Sequence, residues 1–124
     1  MKPSAAIATI ALVALLSGCR LDAPSVASGA VEVFESGRSV NTWPLDARNI
    51  EQLQGWLSRN NEGWNRDFVS YAPRIKVNLK STEGSPFVLN LMDTTVIVYG
   101  AAGQFKKSFT QMEIASLRAS LGIK

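Results

Sequence analysis

Hydrophobic and polar positions alternate most regularly in the middle of the chain, over residues 74–80. Ile75, Val77 and Leu79 fall on one face of an extended segment, and polar or charged residues occupy the other face. This pattern predicts a strand with one buried face and one solvated face. Less regular runs predict further strands over residues 30–35, 86–91, 94–100 and 105–109.

Two other segments place apolar residues three and four positions apart, which is typical of amphipathic helices. Asp46 has the position of an N-cap for the first helix. Thr110 and Glu113 have the spacing of a capping box at the start of the second. The predicted buried positions are Ile50, Leu53 and Leu57 in the first helix and Ile114, Leu117 and Leu121 in the second.

These elements predict one α+β domain over residues 30–124, in the order β-α-β-β-β-β-α. Its antiparallel sheet has four to five strands, and the two helices pack on one face of it. The segment 94–100 is apolar on both faces. Either a helix covers its second face, or that face contacts a partner.

The start of the chain has the layout of a secretory signal peptide. Lys2 provides a positive charge, residues 5–16 form an apolar run, and small residues precede Cys19. The run is shorter than the roughly 20 residues that span a bilayer. Small and polar residues follow the cysteine. We therefore predict a signal peptide over residues 1–18 and a flexible tether over residues 19–29.

The four residues Leu16-Ser17-Gly18-Cys19 resemble the lipobox of bacterial lipoproteins, which combines an aliphatic residue, two small residues and a cysteine. The resemblance implies a diacylglyceryl thioether on Cys19, cleavage before it, and acylation of the new amino group with a fatty acid such as palmitate. Arg20 is not the aspartate that this family associates with inner-membrane retention, so the resemblance implies the periplasmic face of the outer membrane. The alternatives are an ordinary secretory signal with a chance cysteine, or an uncleaved anchor.

Composition removes most catalytic chemistry. The chain has no histidine and one cysteine, so it has no imidazole base, no intrachain disulfide and no cysteine or histidine cluster for a metal. Its carboxylates are spread singly along the chain. We expect no enzymatic activity, catalytic residue, metal or cofactor. The net charge of +3 is not concentrated in a stripe, which argues against nucleic acid as a partner.

Aromatic and basic residues remain as candidates for contact with a partner. Tryptophan and tyrosine in loops are common anchors of protein interfaces, and the polar face of the 74–80 strand is basic. Lys106 extends this basic face if it lies on a neighbouring strand. Alternatively, the aromatic residues cap the core and the basic face is only solvated. The predicted partner-binding residues are Trp43, Trp64, Tyr71, Arg74, Lys76 and Lys80.

The sequence thus predicts a binding module that is anchored by lipid on Cys19, faces the periplasm and docks a protein partner. Among small lipoproteins, the most similar roles are those of immunity proteins or inhibitors that neutralise cell-wall-degrading toxins and lysozymes. The alternative is a structural or assembly accessory of the cell envelope that contacts peptidoglycan or an outer-membrane complex.

Overall fold

The computed structural model describes residues 19–123, so the predicted signal peptide lies outside the described residues. Two helices and one antiparallel sheet confirm the predicted α+β class, but the sheet has seven strands rather than four or five. The strands are β1 (Val26–Glu35), β2 (Arg38–Pro44), β3 (Asn65–Arg66), β4 (Ile75–Ser81), β5 (Pro86–Met92), β6 (Thr95–Gly100) and β7 (Gly103–Ser108), and the helices are α1 (Ala47–Arg59) and α2 (Gln111–Ser120).

The order of strands across the sheet is β2-β1-β4-β5-β6-β7-β3, and every neighbouring pair is antiparallel. The apolar stripes of both helices and one face of the sheet form a single core. This face of the sheet is called the inner face. The opposite face is called the outer face. Val31, Val77, Leu89 and Val96 are fully buried on the inner faces of four successive strands.

The two additional strands lie at the edges of the sheet, where burial leaves little trace in the sequence. In β2, Trp43 is half-buried and all other positions are exposed, so apolar residues have no reason to alternate there. The strand β3 has only two residues, Asn65 and Arg66, and both are exposed. Sequence periodicity reports burial, and therefore it cannot detect strands of this kind.

Capping fixes the start of both helices as the sequence predicts. The side chain of Asp46 accepts a hydrogen bond from the backbone amide of Asn49, and the side-chain oxygen of Asn49 accepts one from the backbone amide of Asp46. Thr110 and Glu113 form the predicted capping box at α2. The hydrogen bonds from Thr110 hold the pKa of Glu113 below its usual value, although burial opposes this shift. Each box satisfies amide groups that the first helical turn leaves unpaired.

The start of the predicted tether is held against the domain. The backbone of Cys19 pairs with that of Trp64 through two hydrogen bonds, with N to O distances of 2.6 and 3.0 Å. The amide of Leu21 donates to the carbonyl of Asn61 at 2.6 Å, and the Leu21 side chain is buried. Residues 19–21 therefore belong to the folded domain.

The end of the predicted tether forms the first half of β1, which begins at Val26 rather than at residue 30. Gly29 has the small size of a linker residue, but here it allows two strands to pack closely. A Cβ at this position would lie 2.5 Å from Cδ2 of Leu79. In a sequence, small residues that allow close packing cannot be distinguished from small residues that make a linker flexible. No helix among residues 19–123 is both long and apolar enough to span a membrane.

Candidate functional site

The outer face of the sheet carries a row of side chains that crosses four strands. Strand register places Lys76, Asn90, Ile97 and Lys106 next to one another on β4, β5, β6 and β7. Glu32 continues the row on β1. Lys106 thus shares a face with Lys76, but two strands lie between them, and three inter-strand spacings amount to about 14 Å. The basic face is interrupted by apolar and amide side chains.

Residues 67–73 form a loop across the outer face, called the covering loop. The amide nitrogen of Gln104 donates to the carboxylate of Asp67 at 3.0 Å and to the carbonyl of Val69 at 2.7 Å. Nζ of Lys106 lies 3.7 Å from the other Asp67 oxygen. Ile97 is 1% exposed although it faces away from the helices. This loop, rather than a helix or a partner, covers the second face of the apolar strand β6.

Asp67 fixes the covering loop electrostatically. Burial raises the pKa of its carboxyl group, but hydrogen bonds from Tyr71 and Gln104, together with the charge of Lys106, outweigh this effect. The pKa of Asp67 therefore lies below its ordinary value of 3.8. The hydrogen bond to Asp67 raises the pKa of Tyr71, and burial adds to this shift. Both shifts favour a charged carboxylate beside a neutral phenol.

The depressed pKa predicts how stability depends on pH. Ionised Asp67 stabilises the native state fully above pH 3.8, and this contribution disappears as pH falls through the lower native pKa. In urea unfolding from neutral pH to about pH 2, wild type should exceed Asp67→Asn in stability at neutral pH, and the difference should shrink on acidification. Tyr71→Phe removes one hydrogen bond to Asp67. Its stability at neutral pH should therefore lie between those of wild type and Asp67→Asn. A stability difference between wild type and Asp67→Asn that stays constant from neutral pH to about pH 2 would contradict the stabilising role of ionised Asp67.

A cleft of about 250 Å³ opens between the covering loop and the sheet. Asn90 lies at its base and is 4% exposed, and its side-chain oxygen is buried without a hydrogen-bond partner. A buried amide normally has its partners, so this oxygen marks an incompletely satisfied polar position. The cleft is lined by Ser70, Tyr71, Pro73, Lys76, Asn90, Ile97, Tyr99 and Gln104.

The side chains that line the cleft are polar, aromatic and basic. An ammonium group, two phenols and two amides line it, and no carboxylate does. It therefore lacks a carboxylate pair for glycoside hydrolysis. Among residues 19–123, no three or more histidine, cysteine or acidic side chains are grouped as metal ligands. An ammonium and hydroxyl groups suit an acidic or strongly polar group of a partner.

The structure brings three of the predicted contact residues together. Tyr71 and Lys76 line the cleft, and Arg74 is exposed in the segment that joins the covering loop to β4. Lys80 is exposed on the same strand as Lys76, four positions away, and therefore on the same face. The outer face thus collects the basic residues as the sequence predicts.

The two predicted contact tryptophans have structural roles instead. Trp64 is 0% exposed, its indole nitrogen donates to the carbonyl of Asn60 at 2.7 Å, and its ring meets that of Phe109 at 5.7 Å. Trp43 is half-buried in β2, and its indole nitrogen donates to the carbonyl of Leu121 at 3.0 Å. Trp64 is therefore not available to a partner, and Trp43 joins the sheet edge to the end of α2.

Sequence reasoning missed the residues at the base of the cleft. Asn90 is the only polar residue inside the otherwise apolar segment 86–91 after its initial proline, which is a detectable signal. Gln104 carries no such signal, because its role depends on a loop 35 residues earlier in the chain. Long-range contacts of this kind become visible only in three dimensions.

A second and larger groove, of about 710 Å³, lies between the two helices. It is lined by Arg48, Glu51 and Arg59 among others, so its charges are mixed. None of the predicted contact residues lines it. This groove provides exposed basic positions that serve as controls for the outer face.

Comparisons of the chain with models of known protein families, with characterised proteins and with solved structures find no match.

Proposed function

We propose that this chain is a lipid-anchored binding module on the periplasmic face of the outer membrane, and that it docks a protein partner through the outer face of its sheet. The anchor follows from the resemblance of Leu16-Ser17-Gly18-Cys19 to a lipobox. The observation that carries the docking role is the cleft beside the covering loop, where Lys76 and Tyr71 adjoin the unpaired oxygen of Asn90.

We further propose that the partner is a cell-wall-degrading toxin or a lysozyme, so that the chain acts as an immunity protein or inhibitor. Most glycoside hydrolases carry two carboxyl groups beside the bond that they cleave. A protein that blocks such a cleft needs a positive side chain to face these carboxylates. Lys76 and the exposed Arg74 supply that charge next to a polar recess. Opposite charges also accelerate and orient association.

The test is inhibition of purified cell-wall muramidases by the wild-type protein and by Lys76→Glu. Breaking a buried charge pair at an interface costs about 2 to 5 kcal/mol, so Lys76→Glu should weaken inhibition by more than about tenfold. Arg48→Glu changes the charge by the same amount in the groove between the helices. This control should inhibit like wild type.

Two results would count against the proposal. Equal inhibition by Lys76→Glu and Arg48→Glu would remove the outer face as the docking surface. Failure to inhibit any muramidase, combined with sedimentation of the protein with purified peptidoglycan, would favour the accessory role in the cell envelope. An inhibitor should stay in the supernatant until its target enzyme is added.

A further inference from the structure

The backbone pairing at Cys19 determines where an attached lipid would point. Cys19 and Trp64 form an antiparallel bridge. In an antiparallel pair, the direction toward the amino terminus of one segment is the direction toward the carboxyl terminus of the other. A fatty acid on the amino group of Cys19 would therefore leave the backbone in the direction of Asn65 and Arg66. Phe68 lies four positions after Trp64, which is at most about 14 Å of chain.

The surface in that direction is unusually apolar. Phe68 is 87% exposed and Val69 is 55% exposed, and both lie in the covering loop. Only four large apolar side chains among residues 19–123 are exposed, and these two are the only consecutive pair. Arg66 is also exposed, and its guanidinium group lies 5.3 Å from the centre of the Phe105 ring. Exposed apolar side chains together with an exposed cation two positions earlier in the chain are typical of surfaces that enter the headgroup region of a bilayer.

No flexible linker separates the folded domain from the proposed anchor at Cys19. The chain is paired from Cys19 itself, and Leu21 is buried two residues later. A flexible linker would allow the domain to rotate freely above the membrane. Here, a lipid on Cys19 places the glycerol group, and thus the headgroup level, directly beside the edge of the sheet at β3.

We propose that Phe68, Val69 and Arg66 form a second contact with the bilayer, which fixes the orientation of the domain on an anionic phospholipid surface. This inference rests on the proposed lipid anchor at Cys19. The apolar side chains enter the region between headgroups and acyl chains, and Arg66 faces lipid phosphate. The membrane then lies along the β3 edge, beside the covering loop.

A nitroxide label at Phe68→Cys in the lipidated mature protein tests the orientation. Lipidation consumes the thiol of Cys19, the only cysteine in the chain, so the new cysteine is labelled alone. Met112→Cys is the matched control, because Met112 is 83% exposed and lies on α2. Both proteins are placed in vesicles of phosphatidylethanolamine and phosphatidylglycerol. Collision rates of the label with oxygen and with a water-soluble nickel chelate are then compared.

The expected result is a ratio of oxygen to nickel collisions several-fold higher at position 68 than at position 112. Equal ratios in protein that floats with the vesicles and carries lipid on Cys19 would overturn the membrane contact and leave the anchor intact. Protein that carries no lipid on Cys19 by mass spectrometry would overturn the anchor, and the orientation with it. The two failures are thus distinguishable.

Discussion

Replacing Trp64 with alanine is expected to lower the free energy of unfolding by about 3 to 5 kcal/mol. The side chain is fully buried, its ring packs against Phe109, and its indole nitrogen satisfies the carbonyl of Asn60. Truncation removes a large apolar volume and leaves the partly buried carbonyl of Asn60 without its donor. Because domains are stable by only about 5 to 15 kcal/mol, this loss is a large part of the total.

Urea unfolding monitored by circular dichroism measures this effect. The matched control is Phe68→Ala, which removes another large aromatic side chain four residues away at a position that is almost fully exposed. Surface substitutions usually change stability by less than about 0.5 kcal/mol, and we expect that result at Phe68. A small effect at Trp64 would mean that its side chain lies at the surface as a contact residue, which is one of the two interpretations that the sequence leaves open.

Replacing Cys19 with alanine is expected to abolish incorporation of fatty acid into the chain and so to remove the lipid anchor. The proposed acyl chains attach only through this residue, and multiple chains are what make such anchoring stable. The domain should remain folded, because Cys19 contributes backbone hydrogen bonds that alanine retains and its side chain is exposed.

Metabolic labelling with a radioactive fatty acid is the decisive measurement for this variant. An uncleaved leader would hold the chain at the membrane through its apolar run, residues 5–16, so fractionation alone is insufficient. The matched control is Ser17→Ala, which keeps a small residue in the motif and should be labelled like wild type. Labelling of Cys19→Ala at the wild-type level would contradict the anchor assignment.

The elements that the sequence predicts correctly are those with one buried face or a local capping signal. The strand containing Val77 and both helix starts belong to this group, because burial and capping depend on residues close together in the chain. The edge strand β2 was missed because it has almost no buried position. Residues 19–29 were predicted as a tether because Gly29 and its neighbours are small, but their size permits close packing.

In the candidate site too, local features could be predicted from the sequence and long-range contacts could not. The basic positions Arg74, Lys76 and Lys80 could be placed on one face from their spacing alone. The covering loop could not be predicted, because it is fixed by Gln104 and Lys106 from a distant strand. Trp64 was interpreted as a contact residue because its irregular surroundings resemble a loop. In the structure, the backbone of Trp64 pairs with that of Cys19, and its side chain is fully buried against Phe109.

Intact mass spectrometry of the mature protein, purified from membranes of a bacterium that expresses the full chain, shows whether Cys19 carries a lipid. We expect a chain that begins at Cys19 and is heavier than residues 19–124 by a diacylglyceryl group and one fatty acyl group. A chain that carries a free thiol at Cys19 and retains residues 1–18 would contradict this expectation.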